Sequence, residues 1–466
     1  MKAESSFTAG TLDCPKNACD DIPSTNEQSS SIPPIQKLPQ ELFSEIFLRY
    51  ASDVEQGGIQ RPLFLLIHVC RSWRDAGLST HYLWNAVPAI DLDNPRSRGK
   101  EYNDMLRSYL RWSGDVPLSI LLLNTASIFS MHPALDALTS HSRRWCDVVI
   151  EINAACFHTL SVIRGCLPAM QSLKLTLHGQ ALVETLPPSD FFEIAPKLHV
   201  VEVRSNSSQD WLKLPWPQLT QYSGILSDPP KFLRDSPQLS VCKLRAAFMG
   251  GSQFNSETAP ARLGELRSLS LYHGYPVGSW RNTTGIFEGL VLPALERFRL
   301  LGPEPLICDL LIPFITRSAC FLRSLTLHEV CFLEGELALL LTLTPLLEEL
   351  DIKPIPPYCQ WPFDFLIFAP TNPPFVPNLR LLTVHHYGGV DSTLLEVIRS
   401  RCDQKAYTVS RLECARLVFN PKYRPNPDYQ LGHNHPKGGK YLGWRNHLNN
   451  KFFDKQPRVN RKVLST

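Results

Sequence analysis

Lys174, Arg204, Lys243, Arg245, Arg299, Lys353 and Arg416 occupy one recurring place, beside the second apolar residue of an L-x-L-like triplet. Guanidinium and ammonium groups repeated in this way suit charge-assisted contacts to carboxylates or phosphates. In a strand, alternate residues share a face, so these positions point away from the leucines of their triplets. The same places also hold Tyr272, His328, Thr383 and His385, and the acidic Glu202 and Asp351. Seven basic residues against two acidic ones exceed the balance of the whole chain, whose formal net charge is only +3. A weakly basic face is therefore expected, preferring an acidic or phosphorylated target segment. Its binding residues would be Arg204, Lys243, Arg245, Tyr272, Arg299 and Lys353. The competing reading is a solvated face whose charges only keep a sheet soluble.

Catalytic chemistry is much harder to find. The chain has no GxxxxGK[ST], no GxGxxG after a strand, no GxSxG and no HExxH. His385 and His386 stand at a strand end with no partnering Ser, Cys or acidic cluster readable. The letters HNH at residues 433–435 lack the hairpin and helix that a metal-dependent nuclease needs, and His433, His435 and His447 could bind no more than a stray metal. The 13 cysteines form no CxxC, and Cys14 and Cys19 have no companion ligands. No catalytic residue, metal site or cofactor is expected.

The elements that carry the triplets announce themselves by repetition. P-x-L-x-x-L-x-L, with apolar substitutions, begins at Pro168, Pro196, Pro217, Pro237, Gly264, Pro293, Cys320, Pro345, Pro377 and Ser410. The starts are 20–33 residues apart, at or slightly beyond the ~20–29 residues of leucine-rich repeats. The copy at Pro217 is the poorest, with Tyr222 and Gly224 in place of its inner leucines. Stretches such as LICDLLIPFIT and STLLEVIRSR supply helical returns. Each unit leaves an apolar edge bare and must stack on its neighbours. The expected fold class is α/β: a leucine-rich-repeat-like solenoid over residues 89–420, with parallel strands on the concave face and helices or irregular returns on the convex face. An ordinary α/β domain is the alternative. Earlier in the chain, a polar bridge follows Val87, MLRSYLRW reads as a helix stopped by Ser113 and Gly114, and residues 118–122 and RWCDVVIEI read as strands.

The front of the chain has another rhythm. Leu38, Leu42, Ile46 and Tyr50 recur every four residues, with Phe43 and Phe47 in the neighbouring row, as on an amphipathic helix. Pro39 suits its first turn. A second helix is expected from Pro62, carrying Leu66, Val69, Cys70 and Trp73 on one side. A short third element at residues 79–84 would close the unit with Leu83 and Trp84. Three such helices bury a modest core, and their surplus of apolar and aromatic residues points to a partner that completes it.

The order LPxEL-x-x-I-F, then VC-x-x-W-R, then LW resembles the F-box across nearly all of that motif. Segments after it, YLRWSGDVPLSI and HSRRWCDVVIEI, resemble those of a large group of fungal F-box proteins. The resemblance implies an F-box at residues 35–88 docking on a Skp-family adaptor and, through it, on a cullin–RING complex. Leu38, Pro39, Leu42, Ile46, Val69, Cys70 and Trp73 would be the adaptor contacts. The polar insert at residues 52–61 exceeds the usual loop and is expected to bulge into solvent. The implied function is substrate recognition for a Skp–cullin–F-box ubiquitin ligase, by a subunit that performs no bond chemistry. The alternative is a non-catalytic scaffold or sensor using box and repeats without ubiquitin transfer.

At 466 residues, with 43% apolar and 20% charged residues, the chain is long enough for more than one domain. No run of about 18 apolar residues suggests a membrane span. The N-terminus is too polar for a secretory signal, so a cytoplasmic or nuclear location with reduced thiols is expected. Residues 1–34 read as a disordered arm and residues 421–466 as a basic tail. The tail interleaves aromatics such as Tyr423 and Trp444 with Lys and Arg, yet a solvated extension is favoured over nucleic-acid binding.

Overall fold

The computed structural model describes residues 38–57, 63–126, 132–179, 188–205, 209–226, 228–245, 259–272, 280–304, 307–330, 335–354, 363–367, 375–386, 392–402 and 412–419, with positions 332 and 410. The expected N-terminal arm and basic tail lie outside these residues. The chain divides into two compact units, the first ending at Ser79 and the second beginning at Thr80.

The first unit is helical. Its leading helix, α1 (Gln40–Gly57), starts one residue after Pro39, whose carbonyl accepts the Phe43 amide. It runs on into the insert expected to loop out, because residues 52–56 contain no helix breaker and the glycine pair comes only at Gly57 and Gly58. The single helix expected from Pro62 is instead two: α2 (Phe64–Ile67), one turn long, and α3 (Arg71–Ser79). The break is stabilised locally. His68 Nδ1 lies 2.6 Å from the Phe64 carbonyl, and Arg74 Nε donates to the Ile67 carbonyl at 3.0 Å. Carbonyls that a continuing helix would have used are thereby satisfied. The turn also folds α3 closely against α2: a methyl group on Gly77 would come within 2.8 Å of the Ile67 side chain. Phe43 and Phe47 are buried beneath Trp73, with ring centroids 6.1 and 5.2 Å from it.

Among the described residues the second unit has fifteen strands: β1 (Ile90–Asp91), β2 (Leu118–Asn124), β3 (Trp145–Asn153), β4 (Ser172–His178), β5 (Val200–Arg204), β6 (Gln221–Gly224), β7 (Val241–Arg245), β8 (Ala261–Arg262), β9 (Ser268–Tyr272), β10 (Leu290–Val291), β11 (Arg297–Glu304), β12 (Ser324–Val330), β13 (Glu349–Pro354), β14 (Leu381–His386) and β15 (Cys414–Phe419). Thirteen form one parallel sheet whose order follows the chain, while β8 and β10 form a separate parallel pair. Parallel neighbours need a crossover between them. Among the described residues the crossovers include α4 (Lys100–Trp112), α5 (Pro133–Thr139), α6 (Pro229–Arg234), α7 (Trp280–Gly289), α8 (Ile307–Ser318), α9 (Glu336–Thr342) and α10 (Ser392–Cys402). Within the large sheet each strand meets only the preceding and following strands of that sheet, a solenoid-like α/β arrangement.

All ten repeat starts lead into strands of the large sheet, β4–β7, β9 and β11–β15. Alternation sends one set of side chains into a continuous core extending from Val87 to Leu412. The sheet begins earlier than the repeats, since Ile90 of the supposed polar bridge pairs with Leu122. Trp84 also belongs to this unit. It packs on Tyr109 and Trp112 at 5.1 and 4.7 Å, and both Leu83 and Trp84, expected as the closing pair of the helical unit, fall on the sheet side of the division.

The weakest repeat has its own solution. In β6 the Tyr222 hydroxyl donates to Gln209 Oε1 at 2.9 Å, and Gln209 Nε2 donates to Ser205 Oγ at 2.9 Å. Gly224 makes room for this group: an added methyl would overlap the Gln209 carboxamide and stand 2.5 Å from the Tyr222 hydroxyl. A Tyr–Gly pair plus a buried glutamine thus fills the volume that two leucines fill elsewhere.

Candidate functional site

Two surfaces carry the residues singled out from the sequence, one in each unit. In the helical unit the i, i+4 spacing of Leu42 and Ile46 places both on one face of α1, where they are 48% and 47% exposed. Val69, in the turn before α3, is 60% exposed, and Leu65 of α2 is 57% exposed. Pro39 is exposed, while Leu38 and Cys70 are half-buried. Trp73 is half-buried as well, and its ring packs on Phe43 and Phe47. Of the expected adaptor contacts, Leu42, Ile46 and Val69 are therefore the large apolar side chains left open.

In the sheet unit, parallel register sets the flanking positions into two rows. One row runs Lys174, Glu202, Ser223, Lys243, Ser270, Arg299, Thr326, Asp351, Thr383 and Arg416, each level with the next. Two residues further along, Arg245, Tyr272, Leu301, His328 and Lys353 form another. Strands lie about 4.8 Å apart, so Lys243 and Arg299 flank Ser270 within reach of one small anionic group. Neither they nor Arg245 form an ion pair among the described residues. Arg204 is engaged with Glu202 at 2.6 Å, and Lys353 with Glu329 at 2.8 Å. The six expected binding residues thus separate into a cationic group around Ser270 and Tyr272 and two pairs already balanced by carboxylates.

The same rows bring together residues for which the sequence offered no partner. His385 of β14 lies 3.4 Å, through Nε2, from Asp351 Oδ1 on β13, and His328 Nε2 of β12 lies 3.0 Å from the same oxygen. The two imidazoles meet edge to face with centroids 5.0 Å apart. Burial alone would raise the Asp351 carboxyl, but the flanking imidazoles outweigh it and hold the group well below the usual carboxylate range. The acid missing beside His385 is therefore Asp351, one strand away and 34 positions earlier. Only strand register could have revealed it.

The described residues define an α/β protein with one long, sequentially ordered parallel sheet and a separate helical unit. No protein-family model matches the chain. No curated protein gives a significant match. Among the described residues no helix is long and apolar enough to cross a membrane.

Proposed function

We propose that the chain is a substrate-recognition subunit of a Skp–cullin–F-box ubiquitin ligase. Its helical unit would be an F-box held by a Skp-family adaptor, and its sheet unit a leucine-rich-repeat-like solenoid that holds a target protein. The observation that supports this reading most directly is the exposure of Leu42, Ile46 and Val69 on a unit that buries Phe43 and Phe47. Those three open side chains occupy places that the sequence resemblance assigns to adaptor contact. Apolar anchors of this kind dominate an interface once a partner desolvates them. The contribution to catalysis is proximity, which raises the effective concentration of target lysines at the ubiquitin-charged enzyme. The target segment would be acidic or phosphorylated, recognised by Lys243, Arg245 and Arg299.

The test is calorimetric titration of a purified Skp-family adaptor into the full chain and into an L42A/I46A/V69A variant. Trp73 is left intact because it packs on Phe43 and Phe47. Wild type should bind, and the variant should lose at least about 100-fold, the equivalent of two anchors at about 1.4 kcal/mol per tenfold. Equal binding by both, or no binding by a folded wild type, removes the reading. Adaptor binding without ubiquitin transfer to any captured protein in a reconstituted ligase would leave the scaffold or sensor alternative.

A further inference from the structure

Across β12, β13 and β14, strand register gathers His328, Asp351 and His385 on the face of the sheet turned away from the apolar core. Each offers a donor atom within 4.8 Å of the other two. Asp351 rises from the central strand, one step back from Lys353, which is level with His328. The two histidines lean over it from either side. Their side chains are largely shielded, 19% and 24% exposed. His328 Nε2 and Asp351 Oδ1 are both closed to solvent and stand 3.0 Å apart, yet lack the alignment that a hydrogen bond requires. The imidazole–carboxylate pairing holds these shielded atoms by charge alone, so a group that coordinated both would satisfy them further.

A metal ion would do so. Bonds of about 2.0–2.1 Å in a tetrahedral site place neighbouring ligand atoms roughly 3.3 Å apart. The observed separations of 3.0 and 3.4 Å bracket that value. Two imidazoles with one carboxylate suit zinc and its transition-metal neighbours, whereas calcium and magnesium favour oxygen alone.

The surrounding chain manages the competing cation. Lys353 shares the face and strand of Asp351, but its ammonium is paired with Glu329 at 2.8 Å. Glu329 reaches it through a bulge: the β12–β13 register shifts between His328 and Val330, and Glu329 takes φ +60°. Left-handed backbone is unfavourable for a non-glycine residue, so this bulge is a strained feature retained beside the cluster. It leaves His328 with the cluster while Glu329 neutralises the lysine next to it.

We propose that His328, Asp351 and His385 bind one zinc-class divalent ion through two imidazole nitrogens and one carboxylate oxygen. All three ligands rise from the same sheet face, so the fourth position points outward, open to water or to a donor group of a bound partner. The site is independent of whether the helical unit binds an adaptor.

The experiment uses the full chain with His433, His435 and His447 replaced by alanine, so that tail histidines do not compete. After chelation and dialysis against micromolar zinc, one equivalent should remain bound, and melting temperature should rise with zinc. D351N and H385Q should lose that equivalent, with affinity at least tenfold weaker. E329Q, which ligates nothing, should weaken binding by freeing Lys353, and K353M should restore it in the double variant. Zinc should also shield His328 and His385 from diethylpyrocarbonate, read by peptide mass spectrometry on the unsubstituted site even where a variant misfolds. No retained zinc, or equal labelling of both histidines with and without zinc, overturns the proposal.

Discussion

The two units differ in what they leave exposed. Twelve large apolar side chains are exposed among the described residues, and four of them, Leu42, Ile46, Leu65 and Val69, fall in the short helical unit. The sheet unit scatters the other eight along a far longer stretch, from Tyr82 to Leu395. It buries Leu and Phe in layers, with Phe287, Phe298 and Phe314 within 5.2–6.3 Å of one another. Apolar surface thus supports folding in one unit and remains available for association in the other. The same residue type has a different role according to whether its own chain covers it.

Substitutions can break this contrast. The largest effect is expected for Phe298→Ala, which empties a fully buried site and should cost about 3–5 kcal/mol in denaturant unfolding. The L42A/I46A pair should stay within about 1 kcal/mol of wild type in the same measurement, since half-exposed side chains lose little folding contact. A large destabilisation by that pair would mean that its face is already covered within the chain. An intermediate loss is expected for Gly224→Ala, about 1–3 kcal/mol, because the methyl overlaps the Gln209–Tyr222 group.

The smallest effect sharpens the comparison through pH. His132 is 1% exposed and caps α5, its Nδ1 accepting the Ala134 amide at 3.2 Å. Burial, with help from Arg98 and against Asp136, holds its pKa below the ordinary value. The unfolded chain therefore takes up the proton first, near pH 6.5. Stability is full above that value and falls as pH drops toward the folded pKa, by at most about 1.4 kcal/mol per unit. His132→Asn, which keeps a capping acceptor, should flatten this slope below pH 6.5 in unfolding titrations.

Much of the sheet was legible because its signal is local and repeated. Two apolar residues spaced two apart and preceded by a third recur nine times, with a tenth, broken copy at Pro217, and each copy leads into a strand. Tyr222 and Gly224 broke the pattern without breaking the strand, because Gln209 compensates from outside the repeat. The helical unit was read less well. Leu66, Val69 and Trp73 fit one helical stripe, yet the turn at His68 leaves Val69 exposed while a half-buried Trp73 packs on Phe43 and Phe47. Trp84 looked like part of the same unit, while its ring partners, Tyr109 and Trp112, come only after a stretch that reads as polar. His328, Asp351 and His385 were each placed on the correct face, but their convergence depends on register between strands and has no spacing signature.

The order of the large sheet has a mechanical consequence. Neighbouring strands are neighbours in sequence, so tension applied at the C-terminal end loads one strand pair before the next. Between β4 and β15 the chain should ravel like a knitted row, releasing one strand and its crossover at a time. With 20–33 residues per repeat, each release would lengthen the chain by roughly 7–12 nm at 3.3–3.6 Å per residue.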